Sequence, residues 1–161
     1  EFPLQTETAA SPRPQRLLTL PLAWAALALG ISLAAVLLPP PDYRAPNGSA
    51  VHYHGGKTLV VNAGLRHRNL GRDDAARYLL PELRRHARRP DAIVLTGKGL
   101  RQTSALITLL AAYPQTPVYS TLPLPNLPFA VTYCPVDNAA GLVFTKTATG
   151  CTARFGEVVL P

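Results

Sequence analysis

The residues best placed to do chemistry lie between Asp91 and Leu106, in the stretch DAIVLTGKGLRQTSAL. Ala92–Thr96 is an apolar, Ile/Val-containing run that reads as a buried strand. Gly97-Lys98-Gly99 reads as a turn, and a helical pattern opens behind it. Loops at the carboxyl ends of strands are where open α/β sheets receive ligands. This turn offers glycine N–H groups, the start of a helix, Lys98 and Arg101, and it holds no His, Asp, Glu or Cys. It can attract an anion such as a phosphate or a nucleic-acid backbone, and it has no ligand for a transition metal. It is not a Walker A loop, because GxxxxGK[ST] is absent. The competing reading is a plain βα turn with exposed basic residues.

Other residues could contribute. Arg66 and Arg68 stand in a basic loop, Arg66 to Gly71, and are candidates for further phosphate contacts. Arg84-Arg85-His86-Ala87-Arg88-Arg89 could grip phosphates or lipid headgroups, or could be a solvated helix end that satisfies the dipole. His52-x-His54 has the spacing of a chelating pair on an extended segment, with His67 and His86 elsewhere. No carboxylate or Cys is near it in sequence, so no metal and no cofactor is expected. Ser104 lacks a G-x-S-x-G elbow and a telling partner, so no catalytic residue is assigned. Cys134 and Cys151 form neither a disulfide scaffold nor a zinc pattern. They read as two separate buried thiols or, outside the cytoplasm, as a disulfide closing a short loop.

These residues need elements to hold them. Thr58–Asn62 reads as a strand after a Gly55-Gly56-Lys57 turn. Asp73 to Arg89 has a helical face of Ala76, Leu79, Leu80, Leu83 and Ala87, with Pro81 set to kink or split it. Thr103 to Tyr113 is a second helix and Val118–Thr121 a third strand. The order β-α-β-α-β implies a parallel sheet with right-handed crossovers. Ala130–Cys134, Gly141–Lys146 and Cys151–Leu160 read as further strands, either edge hairpins or the start of a second sheet.

Ahead of these elements, residues 1–16 are expected to be disordered. Leu17 to Leu38 is free of charge and, as a helix, long enough to cross the roughly 30 Å of a bilayer. Trp24 suits an interface, and Pro39-Pro40-Pro41 ends the helix. Arg13 and Arg16 before it place the following domain outside the cytoplasm. A cleaved signal peptide is the alternative. A linker is expected over 39–50 and one α/β domain over 51–161. The absence of Met and the start at Glu1-Phe2 point to a fragment or a processed chain. The net charge is +7 and the pI about 9.9. From Tyr43 to Pro161 there are 14 Lys+Arg against 6 Asp+Glu, a net of +8, so the charge belongs to this domain. Such a surface favours nucleic acid or anionic lipid.

The segment Gly55–Gly64 (GGKTLVVNAG) resembles the "GGKTLLIDAG" strand of the metallo-β-lactamase-like domain of ComEC-type competence proteins. Arg77–Arg84 (RYLLPELR) is similar to the helix that follows it there, and Asp91–Thr96 (DAIVLT) to its "DlLVLT" strand. The resemblance covers roughly Gly55 to Ser120. It implies half of a metallo-β-lactamase-like sandwich with extra C-terminal strands, behind a membrane helix. The family's H-x-D-x-D-H metal motif falls on Gly97, Gly99, Arg101 and Gln102, and Asn62 stands where its earlier strand ends in Asp. The "DVGQGD" strand is replaced by Ala50–His54. The resemblance therefore implies a catalytically inactive, metal-free module of a DNA-uptake protein in the bacterial cell membrane. Its partners would be the membrane, single-stranded DNA and other envelope uptake components. The rival expectation is a structural or partner-binding envelope domain whose charge faces lipid, with no nucleic-acid role. A metal-dependent phosphodiesterase would need the missing ligands.

Overall fold

The computed structural model describes residues 24–30, 40–124, 126–136, 138–148 and 150–161. It falls into two compact units, Glu1–Leu38 and Pro39–Pro161. In the first, residues 24–30 are helical (α1), with Trp24, Leu27 and Leu29 exposed. Among the described residues no helix is long and apolar enough to cross a membrane. Most of the expected span 17–38, and all of 1–16, lie outside the described residues.

The second unit is a mixed α/β fold. Its main sheet has six strands in the order β1 (Tyr43–Arg44), β2 (Ala50–His54), β3 (Lys57–Val61), β6 (Ala92–Leu95), β7 (Val118–Ser120), β8 (Thr132–Tyr133). β1, β2 and β3 are antiparallel, whereas β6, β7 and β8 each add in parallel. Gly55 and Gly56 join β2 to β3 with φ of 55° and 74°. Two consecutive positive φ angles match the twist of a tight hairpin, and glycine adopts them without a Cβ clash. A short hairpin, β4 (Arg66–His67) and β5 (Arg72–Asp73), follows β3. The last strands, β9 (Leu142–Thr147), β10 (Gly150–Phe155) and β11 (Val158–Leu160), form a separate antiparallel sheet. Of the strands expected after Thr121, Ala130–Cys134 thus supplies β8 at the edge of the main sheet, whereas Gly141–Lys146 and Cys151–Leu160, the latter broken into β10 and β11, build the second sheet.

Alternation along the central strands explains the layers. Val51, Val60, Ile93 and Leu95 pack with Leu79, Leu83, Leu106 and Leu109 of the helices. Leu59, Val61, Ala92 and Val94 pack with Leu142, Ala153 and Phe155 of the second sheet. Successive side chains of a strand point to opposite faces, so apolar runs are buried on both. Each of the four helix leucines, fully buried, contributes about 1.5–3 kcal/mol of burial.

Three expectations are corrected. The linker over 39–50 is part of the fold from Asp42 onward. Asp42 holds the His52 ring and the Tyr53 N–H, and β1 pairs with β2. The helix expected over Asp73–Arg89, with Pro81 kinking or splitting it, runs as a π turn, Ala75–Leu79, continued directly by α2, Leu80–Arg85, and stops short of Arg89. Proline lacks an N–H and crowds the carbonyl four residues back. The wider turn, with Leu80 N–H donating to the Ala75 carbonyl, accommodates Pro81. The second helix is split into α3, Leu100–Thr103, and α4, Leu106–Ala112.

α2 ends where Arg88 N–H donates to the Leu83 carbonyl and Ala87 N–H to that of Arg84. This is the paired closure that normally uses glycine at the left-handed position, here occupied by Ala87 at φ 49°. Ala87→Gly should raise stability by about 1 kcal/mol, because an L-residue is strained there. The check is a higher urea midpoint at unchanged slope.

Candidate anion-binding rim

The parallel pairing of β3 with β6 puts their carboxyl ends side by side. Asn62, just past β3, has φ 59°, a region Asn tolerates. Its amide reaches across the gap. Thr96 N–H donates to Asn62 Oδ1 at 2.9 Å, and Asn62 Nδ2 donates to Thr96 Oγ1 at 3.0 Å. The ladder is thereby extended past the end of both strands. Ala63 N–H donates to the Gln102 carbonyl at 2.7 Å, and Ala105 N–H to that of Gly64 at 3.1 Å. Arg66 N–H donates to Ser104 Oγ at 2.7 Å, and that hydroxyl donates to the Leu100 carbonyl at 2.6 Å. Ser104 is thus committed to two backbone groups.

These bonds bring Gly97, Lys98, Gly99, Arg101 and Arg66 to one rim. Arg68 follows in a 3₁₀ turn, Arg68–Leu70. Arg66 is partly engaged, its Nε 3.5 Å from Asp73 Oδ2. The same carboxylate accepts from Thr108 Oγ1 at 2.5 Å and, through Oδ1, from Ala76 N–H at 3.0 Å. Arg68, Lys98 and Arg101 are exposed, and their side chains make no ion pair among the described residues.

The glycine turn differs from the open cradle expected. A Cβ at Gly97 would lie 2.9 Å from Gln102 Cγ, and one at Gly99 would lie 2.7 Å from Gln102 Oε1. The two glycines make room for a glutamine folded over the turn. α3 has four residues, so its end adds little dipole charge. Attraction for an anion at this rim rests on the side chains of Lys98, Arg101 and Arg68.

A metal does not fit here. Gly97, Gly99, Arg101 and Gln102 supply neither imidazole, thiolate nor carboxylate, and the Asn62 amide is engaged with Thr96. Among the described residues no group of three His, Cys, Asp or Glu is placed to hold a metal ion. The histidines serve separate places. His52 is buried, its Nδ1 2.7 Å from Asp42 Oδ2. Burial pushes the Asp42 carboxyl up, but the His52 and Tyr53 hydrogen bonds outweigh it and hold it below its ordinary 3.8. His54 stacks edge-on to Phe155 and covers Gly156. His67 is exposed on β4. His86 Nε2 sits 3.1 Å from Glu82 Oε1, with Tyr53 against its ring. Burial and then Glu82 push the Tyr53 hydroxyl up to about 12.

In the basic run, Arg85 lies 3.8 Å from the buried Glu82. Arg84 and Arg89 are exposed beyond it and Arg88 is half-buried. Cys134 and Cys151 are joined as a disulfide, so the separate-thiol reading is corrected. Sequence reasoning missed the Asp42–His52 pair and the Asn62–Thr96 bridge. It also missed a cavity between Arg89 and Pro117, whose only linear signal is the spacing of Pro90, Pro114 and Pro117. Comparison with family models, with curated proteins and with solved structures finds no match for this chain.

Proposed function

We propose that this chain is a membrane-anchored, catalytically inactive module that holds single-stranded DNA on its basic helical side. In this reading it resembles a degenerate half of a ComEC-type metallo-β-lactamase-like domain, facing outward from the bacterial cell membrane. The observation that carries the proposal is the fate of the carboxylates. Among the described acids, Asp42, Asp73, Asp74, Glu82 and Asp91 each bond to a partner within the fold, and Glu157 alone is exposed without an ion pair. The excess cations are left exposed, with Arg68, Lys98 and Arg101 at the carboxyl rim and Arg84 and Arg89 beyond α2. Such a surface attracts phosphates without reading sequence.

Other features support the finer parts. The sandwich reading draws support from helices packed on one face of the six-stranded sheet and a three-stranded sheet on the other. The disulfide fits an oxidising compartment. The exposed apolar side chains of α1 suit an anchor.

The test is the affinity for an oligothymidine across a salt series. Each phosphate contact on a single strand contributes a slope of about −0.7 in log K against log salt. Lys98→Ala/Arg101→Ala should flatten that slope by roughly 1.4 and weaken binding at low salt. A flat series, or an unchanged double variant, sinks the proposal. Binding to anionic vesicles without binding to DNA would instead favour a lipid-facing envelope role.

A further inference from the structure

The amino ends of β6 and β7 face the opposite end of the sheet from the rim. There a cavity of about 500 Å³ lies between the residues before β6, the end of α4 and the residues before β7. That volume is within the range of small-ligand sites. Its walls include Pro90, Pro114 and Pro117, which are conformationally stiff, and the half-buried Tyr113. Thr116 Oγ1 is bonded back to the Pro90 carbonyl, and Thr116 N–H donates to the Tyr113 carbonyl, which fixes the shape. Asp91 lines the cavity, but its oxygens accept from Lys57 Nζ at 3.2 Å and Thr58 N–H at 2.8 Å. Arg89 is exposed at the cavity and makes no ion pair among the described residues, with Arg84 and Arg88 close in sequence. The end of α4 contributes only partial negative charge, from seven residues. Gln115 adds an exposed amide with a donor and an acceptor.

We infer that this cavity receives one nucleotide of a bound strand, with its base against Tyr113 and its phosphate at Arg89. The inference rests on the single-strand reading above and adds a second, base-stacking contact to it. An anion alone would need only the arginine. An aromatic wall, stiff apolar sides and an exposed amide beside a cation suit a flat heterocycle that carries a phosphate. Stacking of this kind tolerates any base.

The full chain is titrated calorimetrically at low salt with dTMP, with inorganic phosphate and with a ten-nucleotide oligothymidine. dTMP should bind at least about tenfold more tightly than phosphate, the contribution expected of stacking on one ring. Arg89→Ala should weaken both. Tyr113→Leu, which keeps the apolar contact with the core, should weaken dTMP roughly tenfold and leave phosphate unmoved. Circular dichroism checks that both variants fold. Equal affinity for dTMP and phosphate, or dTMP binding unmoved by Tyr113→Leu, overturns the inference. Lys98→Ala/Arg101→Ala separates the two readings. If it leaves dTMP binding intact but weakens the oligomer, both sites stand. If the oligomer ignores it while dTMP binds, the rim alone fails. If the oligomer depends on it and dTMP does not bind, the cavity alone fails.

Discussion

Asp74→Ala is expected to lower the stability of the Pro39–Pro161 unit by about 3 kcal/mol, read from urea unfolding. Asp74 is 1% exposed. Its carboxylate accepts from Asn47 Nδ2 at 3.0 Å, Leu65 N–H at 3.0 Å and Arg72 Nε at 2.9 Å. It therefore holds together the turn before β2, the loop after β3 and β5. Gly64 allows this approach. At φ 92°, a Cβ there would fall 2.6 Å from both Asn47 Nδ2 and Asp74 Cβ. Arg72 is half exposed, so losing its partner costs little. The loss comes from leaving the half-buried Asn47 amide and Leu65 N–H without their acceptor, about 1–3 kcal/mol each.

The same carboxylate sets an acid limb. Burial raises the Asp74 carboxyl, but bonds from Arg72, Asn47 and Leu65 outweigh it and hold it below 3.8. A carboxyl lowered by folding contributes stability that is complete above its unfolded value of 3.8. That contribution is lost as pH falls through the lowered value. Asp42 acts in the same sense. Asp74→Asn should flatten the decline of the urea midpoint below pH 4. A decline as steep as in the parent chain would show that Asp74 does not drive it.

Cys134→Ser/Cys151→Ser is expected to cost about 3 kcal/mol, the chain-entropy value for a loop of this size. The two cysteines are 17 residues apart in sequence. Cys134 follows β8, with its N–H on the Ser120 carbonyl, and Cys151 lies in β10. The bond therefore ties the edge of the six-stranded sheet to the second sheet. β8 has two residues and both are exposed, so packing alone holds it weakly. Reductant should bring the parent chain to the stability of the double variant and leave the variant unchanged. A parent chain indifferent to reductant would refute the role.

The strands and helices that build the core were legible because their signals are local. Leu59-Val60-Val61 and Ile93-Val94-Leu95 are apolar runs of strand length, and Pro81 announces an interruption wherever it stands in a helical pattern. What escaped depends on distant partners. Tyr43 and Arg44 carry no strand signal of their own, and their conformation follows from Asp42 meeting His52 and Tyr53. Alternation in β9 and β10 tells which side chains share a face, not which sheet they cover. The rim was legible as Lys98 and Arg101, but the filling of its turn by Gln102 and the partial engagement of Arg66 by Asp73 are tertiary facts. Nothing in the order of residues tells a paired arginine from a free one.

The excess of exposed cations also has a colloidal consequence. At a formal charge of +7, each molecule carries more cations than anions. Copies repel one another at low ionic strength, and at physiological salt that repulsion reaches only about 8 Å. Every phosphate a molecule takes up cancels part of the repulsion. Once the captured phosphates match the excess cations, nothing keeps neighbouring complexes apart, and charge-neutral particles associate. Loading along a long polyanion is then self-limiting while the polymer is scarce, and turns to clustering at the stoichiometry of charge balance.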